Sequence, residues 1–334
     1  MSGPSDAELR EALEAALDGF AVDPSSPIER RPSLYRTSFP IEELRLELVG
    51  KGPTRMGFKQ LDWESLDSGA QLAKPRFLHD PEREPSVYRA LLSQAPPGPP
   101  GSFGALVEAG RHWLFFEWVE GRELFQVGER ELWEEAARWL ARFHVAMAPG
   151  LDRHREEGRL IDHDAAFYRG WIERAKRFGE VRADGSLATI TRLGRRHEQV
   201  VEALLTLPRT VIHGEFYASN VLVASAPDSL PTPLGQKSDA RVAPVDWELA
   251  AAGPGLMDLA ALVSGWPAAD RGALVAAYAA DPGVATFSDR DLAFARLQAA
   301  IQWLGWAPPQ WQPPPEQRHD WLAEATQLSE ELGL

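Results

Sequence analysis

The sequence predicts an α+β protein of two lobes, in which a small antiparallel sheet precedes a mainly helical lobe. Its 334 residues, 44% of them hydrophobic, exceed the usual span of one compact domain. Short strand-like runs separated by Pro and Gly fill much of residues 33–120, whereas apolar residues recur at helical intervals after Gly121. We therefore expect a first lobe at residues 1–120 and a second lobe at residues 121–334.

The first lobe begins with a predicted helix. Ser5 and Glu8 have the spacing of a capping box, and apolar residues follow at helical spacing, which predicts a helix over residues 6–19. Turn-bounded runs then predict three antiparallel strands between residues 33 and 61, a helix over 80–92, and two further strands at 103–109 and 112–119.

The second lobe is predicted to hold several helices and one hairpin. Helical periodicity covers residues 132–147, 165–178 and 192–205, and Ala-rich helices follow towards the C-terminus. The apolar runs 220–224 and 241–247 predict a pair of strands. Because the residues between them, 226–240, are rich in Pro, Ser and Asp, we expect an exposed loop that protease cuts readily.

Composition excludes several classes of function. The net charge of -14 disfavours binding to nucleic acid or to an anionic membrane. The chain has no Cys, which excludes disulfides, thiolate metal sites and cysteine nucleophiles. The N-terminus lacks the basic and apolar regions of an export signal, and no apolar run approaches the roughly 18 residues that cross a bilayer. We therefore expect a cytoplasmic protein, and the sequence does not predict its oligomeric state.

The most informative segment runs from Val211 to Val223. In it the carboxylate of Glu215 precedes the amide of Asn220 by five positions between apolar runs, which is the spacing of the catalytic loop of protein kinases. Further along the chain, Asp246 ends a predicted strand. Asn220 and Asp246 would thus lie at the two ends of the hairpin, where they could bind one hard cation, and we predict a Mg²⁺ site there.

With these motifs the sequence resembles the aminoglycoside phosphotransferase and choline kinase family. The family signatures His-Gly-Asp-x-x-x-x-Asn and Asp-Trp-Glu correspond to residues 213–220, with one substitution, and to residues 246–248. A third family segment matches Gly253 to Ala260, and the resemblance runs from about Leu34 to Ala260. It implies a bilobal protein-kinase-like fold with a hinge at residues 117–121, which binds ATP between its lobes and transfers the γ-phosphoryl group to a small-molecule hydroxyl.

The resemblance also implies a role for individual residues. Glu84 would be the helix glutamate that accompanies the phosphate-binding lysine, although Glu82 is a rival on sequence grounds. Without Gly residues in the first strand turn, phosphate contacts there would come from hydroxyls such as that of Ser38. The remaining roles are Lys59 on the phosphates, Glu117 and Val119 at the hinge, Asn220 and Asp246 on Mg²⁺, Glu215 on the acceptor hydroxyl, and His213 and Asp258 in support of the loop.

The departure from the family pattern is Glu215, which replaces the catalytic aspartate. Its extra methylene lengthens the side chain by roughly 1.5 Å. Since phosphoryl transfer depends more on positioning and charge neutralisation than on a strong base, a carboxylate of either length can accept the proton. The sequence therefore favours an active enzyme, and the alternative is a pseudokinase that binds a nucleotide or ligand without turnover.

Several other patterns in the sequence are not interpreted as catalytic or binding sites. Residues 50–54 lack the upstream Gly and the Lys-Ser/Thr pair of a P-loop. The adjacent side chains of residues 162–164 diverge, so a solvated helix start is favoured over a metal site. His144 is expected to pack within a helix face. A hydrolase is excluded because the chain has no Gly-x-Ser-x-Gly motif.

The acceptor is not identified by the sequence. Tyr217, Glu248, Trp303 and Trp306 are candidate substrate contacts. The acidic second lobe would suit an aminated sugar, but it would equally serve solubility. The Trp-rich C-terminal region would suit stacking on a sugar or a lipophilic natural product, or it would fill a helical core.

Overall fold

The first lobe is built on a five-stranded antiparallel sheet. The computed structural model describes residues 3–33, 38–108, 110–182, 185–224, 240–306 and 319–334. The strands are β1 (Glu29–Pro32), β2 (Ile41–Leu48), β3 (Gly52–Gln60), β4 (Ser102–Glu108) and β5 (Arg111–Glu117). They lie in the order β1-β2-β3-β5-β4, with every neighbouring pair antiparallel. The predicted small antiparallel sheet is therefore confirmed.

The first strand lies upstream of its predicted position. We expected it at residues 33–38, of which residues 34–37 lie outside the described part of the chain. Instead β1 pairs with β2, and the pairing is held by Arg30, which donates to both carboxylate oxygens of Glu42 at 2.7 and 2.9 Å. Because a largely exposed strand held by a charged pair has no apolar alternation, the hydrophobic pattern did not reveal it.

The N-terminal helix α1 (Asp6–Ala16) is shorter than the predicted 6–19. Its capping box is present, because the Glu8 amide donates to Ser5 Oγ at 3.3 Å and the Ser5 amide donates to the Glu8 carboxylate at 2.8 Å. At the other end, Leu17 leaves the helix and forms an isolated bridge with β4. The bridge to β4 therefore ends the helix at Ala16, before the end of the segment that the apolar pattern predicted to be helical.

Two helices lie between β3 and β4 of the first lobe, namely α2 (Ser68–Ala73) and α3 (Arg83–Ala90).

The second lobe is mainly helical, as predicted. The helices that follow are α4 (Arg130–Met147), α5 (Leu151–Glu157), α6 (Ala165–Val181), α7 (Ser186–Thr206), α8 (Leu256–Val263), α9 (Ala268–Ala279), α10 (Asp289–Trp306) and α11 (Trp321–Leu332). Among the described residues, no helix is long and apolar enough to span a membrane.

Six short strands support the loops of this lobe. They are β6 (Arg122–Glu123), β7 (Ile161–Asp162), β8 (Arg209–Ile212), β9 (Val221–Ala224), β10 (Arg241–Pro244) and β11 (Ala251–Pro254). They form two sheets of order β10-β9-β6 and β7-β11-β8. Since β5 and β6 belong to different sheets, the boundary predicted near residue 120 falls between two sheets.

The predicted hairpin is formed by β9 and β10, which are antiparallel. The Val245 amide extends their pairing by donating to the Asn220 carbonyl at 2.9 Å. Asn220 precedes β9 and Asp246 follows β10, so the two chain ends of the hairpin lie side by side at its open end. The connecting loop predicted at 226–240 lies outside the described residues except for Ala240, so its cleavage by protease stays a prediction.

Candidate active site

A cleft between the five-stranded sheet and the helical lobe gathers most of the predicted site residues. Its volume is about 260 Å³. Of the fourteen residues singled out from the sequence, eleven line this cleft, namely Ser38, Lys59, Glu84, Glu117, Val119, Glu215, Tyr217, Asn220, Asp246, Trp303 and Trp306. The other three, His213, Glu248 and Asp258, lie outside its lining.

Lys59 lies at the centre of a buried ionic cluster. It extends from β3, its side chain is 2% exposed, and its Nζ lies 2.7 Å from Glu84 Oε2 and 2.5 Å from Asp246 Oδ1. Glu82, the rival of Glu84, instead lies 3.4 Å from Arg159 with 43% of its side chain exposed. The geometry therefore selects Glu84 as the partner of the lysine.

Electrostatics in this cluster keep the lysine charged. Burial alone would lower the pKa of Lys59, but the carboxylates of Asp246 and Glu84 hold it above its ordinary value. Burial raises the pKa of Glu84 to about 7. Burial would also raise the pKa of Asp246, but the ammonium of Lys59 outweighs it and holds this pKa below its usual range. Lys59 is thus a fixed cation at the cleft wall.

Asp246 adopts a strained backbone conformation, with φ 65° in the left-handed region. The chain on both sides of it is held by hydrogen bonds. On one side Val245 is tied to Asn220, and on the other the Trp247 amide donates to Glu84 Oε1 at 3.1 Å. These bonds hold the conformation that turns the Asp246 carboxylate towards Lys59.

Asn220 and Asp246 provide donors suited to a hard cation. The Asn220 Nδ2 donates to the Glu215 carbonyl at 3.0 Å, so the amide oxygen is the end of the side chain left for a ligand. A carboxylate and an amide oxygen are ligands that Mg²⁺ accepts alongside substrate phosphates and water. Within the described ranges, no group of three or more His, Cys, Asp or Glu residues forms a separate metal site, and this includes residues 162–164.

Glu215 is placed where two cavities meet. It lines the cleft and also a second, narrow cavity of about 30 Å³ beside α6 and α10. Burial raises the pKa of Glu215 to about 8, and the nearby charges of Glu248 and Asp246 add to the effect. Its carboxylate therefore has the proton affinity of a group that exchanges protons near neutral pH.

Hydrogen bonds to Asp258 hold the loop that carries Glu215. Asp258 Oδ2 accepts from the His213 amide at 2.6 Å, and Oδ1 accepts from the Gly214 amide at 2.9 Å. The His213 ring donates from Nε2 to the Val245 carbonyl at 2.9 Å. Gly214 has φ 86°, and a Cβ there would lie 2.2 Å from the Leu249 carbonyl oxygen, so the turn requires glycine.

Sequence reasoning missed the next partners of Asp258. His144 Nε2 lies 3.2 Å from Asp258 Oδ2, and His144 Nδ1 lies 2.8 Å from the Tyr278 hydroxyl. His144 is buried on α4. Its two ring nitrogens connect Tyr278 of α9 with Asp258, which holds the catalytic loop. The only sequence signal was a His within an apolar helix face, and that pattern does not identify partners more than 100 residues away.

Glu248 does not have the position expected of a substrate contact. It is buried in an ion pair with Lys74, and its carbonyl accepts from Arg83 at 2.8 Å. It lines neither the cleft nor the second cavity. We therefore assign it to the support of the Asp-Trp-Glu segment, and Lys74, which ends α2, is a partner that the sequence did not reveal.

Glu117 lies at the hinge with its carboxylate engaged. Arg241 donates to it at 2.5 and 2.9 Å, and the Gly101 amide donates at 3.0 Å. The guanidinium of Arg241 lowers the pKa of Glu117. The Glu117 amide is also occupied, because it donates to the Gly101 carbonyl at 2.8 Å. Any contact from Glu117 to a nucleotide would therefore come from its backbone carbonyl.

Comparison with known proteins identifies the family of the chain. The model of the phosphotransferase enzyme family matches residues 73–297. The chain belongs to this family. Both the resemblance inferred from the motifs and the predicted class of enzyme are thereby confirmed. None of the curated proteins compared matches the chain.

Solved structures similar to this chain include several phosphotransferases. The macrolide 2'-phosphotransferase MphH from Brachybacterium faecium has 17% identity and a TM-score of 0.56, with 90% of this chain and 91% of that chain covered. The choline kinase LicA from Streptococcus pneumoniae has 12% identity and a TM-score of 0.55, with 98% of both chains covered. A spectinomycin phosphotransferase in complex with ADP and spectinomycin has 11% identity and a TM-score of 0.52, with 99% and 95% covered. At these identities the likeness shows the fold, and the predicted bilobal protein-kinase-like fold is confirmed.

Proposed function

We propose that the protein transfers the γ-phosphoryl group of ATP, in the presence of Mg²⁺, to a hydroxyl of a small molecule. The observation that carries this proposal is the cluster of Lys59, Glu84 and Asp246 in one cleft with Asn220 and Glu215, in a chain of the phosphotransferase family. A fixed cation and a pair of oxygen ligands next to a carboxylate are the groups that phosphoryl transfer needs.

Each of these residues has a role in the proposed reaction. Lys59 binds phosphate oxygens of the nucleotide, and Glu84 holds its side chain in place. Asn220 and Asp246 hold Mg²⁺, which neutralises phosphate charge when it is bound. Ser38 and the hinge backbone at Glu117 and Val119 line the same cleft and complete the nucleotide site.

Glu215 acts on the acceptor. Its carboxylate orients the hydroxyl and accepts the proton as the oxygen bonds to the γ-phosphorus. The bond from that phosphorus to the β,γ-bridging oxygen breaks, and ADP leaves. The products are a phosphate ester, ADP and one proton, which Glu215 releases to solvent. His213 and Asp258 keep the loop in position for this step.

A thermal-shift measurement tests the nucleotide site. ATP should raise the melting temperature only when Mg²⁺ is present, and Asp246→Ala should remove most of that increase, because Asp246 would hold the ion that bridges the phosphates. Asp152→Ala, which truncates a side chain that is 97% exposed, is the matched control and should behave as wild type. Equal shifts with and without Mg²⁺ would contradict the proposed site.

A further inference from the structure

A Pro-rich segment of the first lobe, residues 95–101, lies against the second lobe. It lies between α3 and β4 in the chain. The Trp139 indole of α4 donates to the Pro97 carbonyl at 3.0 Å. A Cβ on Gly98 would lie 2.6 Å from the Val242 carbonyl oxygen of β10, so this close approach requires glycine. The Pro-rich segment is therefore a contact between the lobes in addition to the hinge.

Arg241, at the start of β10, joins the Pro-rich segment to the hinge. Its Nε donates to the Gly98 carbonyl at 2.9 Å, and its Nη2 donates to the Pro99 carbonyl at 2.8 Å. Its two Nη atoms also donate to the two carboxylate oxygens of Glu117, which is the bidentate arrangement of an arginine with a carboxylate. One guanidinium thus holds together the hinge, the Pro-rich segment and the hairpin of the second lobe.

The charges of this pair stabilise each other. The Glu117 carboxylate raises the pKa of Arg241, and the guanidinium lowers the pKa of Glu117. The two side chains are 35% and 40% exposed. An ion pair of this exposure adds little to stability by itself, but a planar fork with two further carbonyl acceptors fixes a single geometry. The contacts of Arg241 therefore determine the relative position of three segments more than the stability of the fold.

The proposed reaction uses a different contact between the lobes. Lys59 of the first lobe is paired with Asp246 of the second lobe across the cleft. Because these groups would bind the phosphates and Mg²⁺, their ion pair has to be replaced when the nucleotide binds. Arg241 lies outside the described lining of the cleft, so its contacts can persist. They would keep the lobes together while Lys59 and Asp246 exchange partners.

The position of Arg241 also links the hinge to the proposed metal ligands. Arg241 begins β10, and Asp246 follows the end of this strand. All four residues of β10 pair with β9, which Asn220 precedes, and β9 pairs in turn with β6 next to the hinge. Loss of the Arg241 contacts would therefore free the Pro-rich segment from the hairpin that carries both proposed metal ligands.

We propose that Arg241 is a positioning residue that holds the two lobes in one closed arrangement before any nucleotide binds. The nucleotide site is then preorganised, so that binding of ATP needs no closure at the hinge. The proposal goes beyond the proposed function, because it concerns the distance between the lobes and holds whether or not a phosphate ester is formed.

Double electron–electron resonance between two spin labels measures this distance directly. The chain has no Cys, so Glu14→Cys on α1 and Gln327→Cys on α11 would provide the only two labelling sites. Both positions are exposed, one on the first lobe and one on the second lobe. In this labelled parent protein we expect one narrow distance distribution that ATP and Mg²⁺ leave unchanged. A distribution that shortens when the nucleotide binds would overturn the proposal.

Arg241→Met in the labelled protein removes the fork and keeps an unbranched side chain. Without nucleotide, its distance distribution should become broader and extend to longer distances. Arg142→Met is the matched control and should keep the parent distribution, because Arg142 pairs with Glu135 within α4 at similar exposure. Should Arg241→Met fail to fold, Glu117→Gln, which loses the charge of the partner, should broaden the distribution in the same direction. An unchanged distribution in the folded variant would overturn the proposal.

Nucleotide affinity gives a readout that a purely structural role would not move. We expect the apparent Kd for ATP with Mg²⁺ to rise about tenfold in Arg241→Met, which corresponds to a closed fraction of about one tenth. Turnover at saturating ATP should stay within about twofold of wild type, since Arg241 lies outside the lining of the cleft. A lower melting temperature with an unchanged Kd would overturn the proposal. If wild type bound no ATP, the proposed function would fail, and the distances without nucleotide would still decide the role of Arg241.

Discussion

At the residue scale, the proposed role of Glu215 as the group that accepts the proton can be tested by substitution. In Glu215→Gln the length and shape of the side chain remain and the basic group is lost. We expect turnover to fall by roughly 10² to 10⁴, with nucleotide affinity unchanged, because Asp246 and Lys59 are untouched. Steady-state kinetics on an identified acceptor, with nucleotide binding measured in parallel, would check this. A variant as fast as wild type would show that Glu215 does not accept the proton.

Glu215→Asp asks whether the site is adapted to the longer side chain. The Asp258 carboxylate fixes the backbone at His213 and Gly214, so the loop cannot move to compensate for a carboxylate set back by roughly 1.5 Å. We expect a loss of turnover on the order of 10². A gain in turnover would show instead that the site only tolerates glutamate.

His163 should contribute to acid sensitivity. Burial lowers its pKa to about 3, against about 6.5 in an unfolded chain. Between these values the unfolded chain binds a proton that the folded chain does not, so stability decreases as the pH is lowered, by up to about 1.4 kcal/mol per pH unit. His163→Phe should reduce this slope by about one proton when urea unfolding is compared at about pH 5 and about pH 7. Identical slopes would contradict this.

At the scale of elements, the connection from α9 through α4 to the catalytic loop depends on one hydroxyl. Tyr278→Phe leaves His144 Nδ1 without its partner, and we expect a loss of about 1–2 kcal/mol in the free energy of unfolding. Tyr168→Phe is the matched control, because the hydroxyl of this buried Tyr has no partner among the described residues. Equal effects of the two substitutions on urea unfolding would contradict the role of the connection.

The buried pair of Lys74 and Glu248 ties the end of α2 to the segment after Asp246. Lys74→Met should cost about 3–5 kcal/mol in the free energy of unfolding, since it leaves a buried carboxylate unpaired. The double variant with Glu248→Leu should recover most of that loss because no charge remains unpaired. A double-mutant cycle by urea unfolding measures the coupling, and additive losses would show that the pair is not coupled.

The elements differ in how far the sequence predicted them. Glu215, Asn220 and Asp246 could be identified from the sequence because they lie close together along the chain, in one loop and one hairpin. Lys74 and its partner are separated by 174 positions, and no local pattern relates them. The strand β1 was misplaced because charged pairing, rather than apolar alternation, holds it.

For the whole molecule, the fold class followed from the change in periodicity near residue 121, and the motifs identified the family. Sequence patterns did not give the shape of the second cavity, since its walls come from β7, α6 and α10, which are far apart in the chain. The acidic surface of the second lobe would suit an aminated sugar or would serve solubility alone, so the charge pattern left the acceptor open as well.

The most direct test of the central claim is a search for the phosphate ester itself. The protein would be incubated with ATP and a panel of neutral ring alcohols, amino sugars and choline, with Mg²⁺ or with EDTA, and the products identified by mass spectrometry. We expect at least one hydroxyl compound to form its phosphate ester with equimolar ADP, with Mg²⁺ only, and Asp246→Ala to abolish the product. Binding of Mg²⁺ and ATP with no ester from any acceptor, or ester formation that persists in EDTA, would contradict the account.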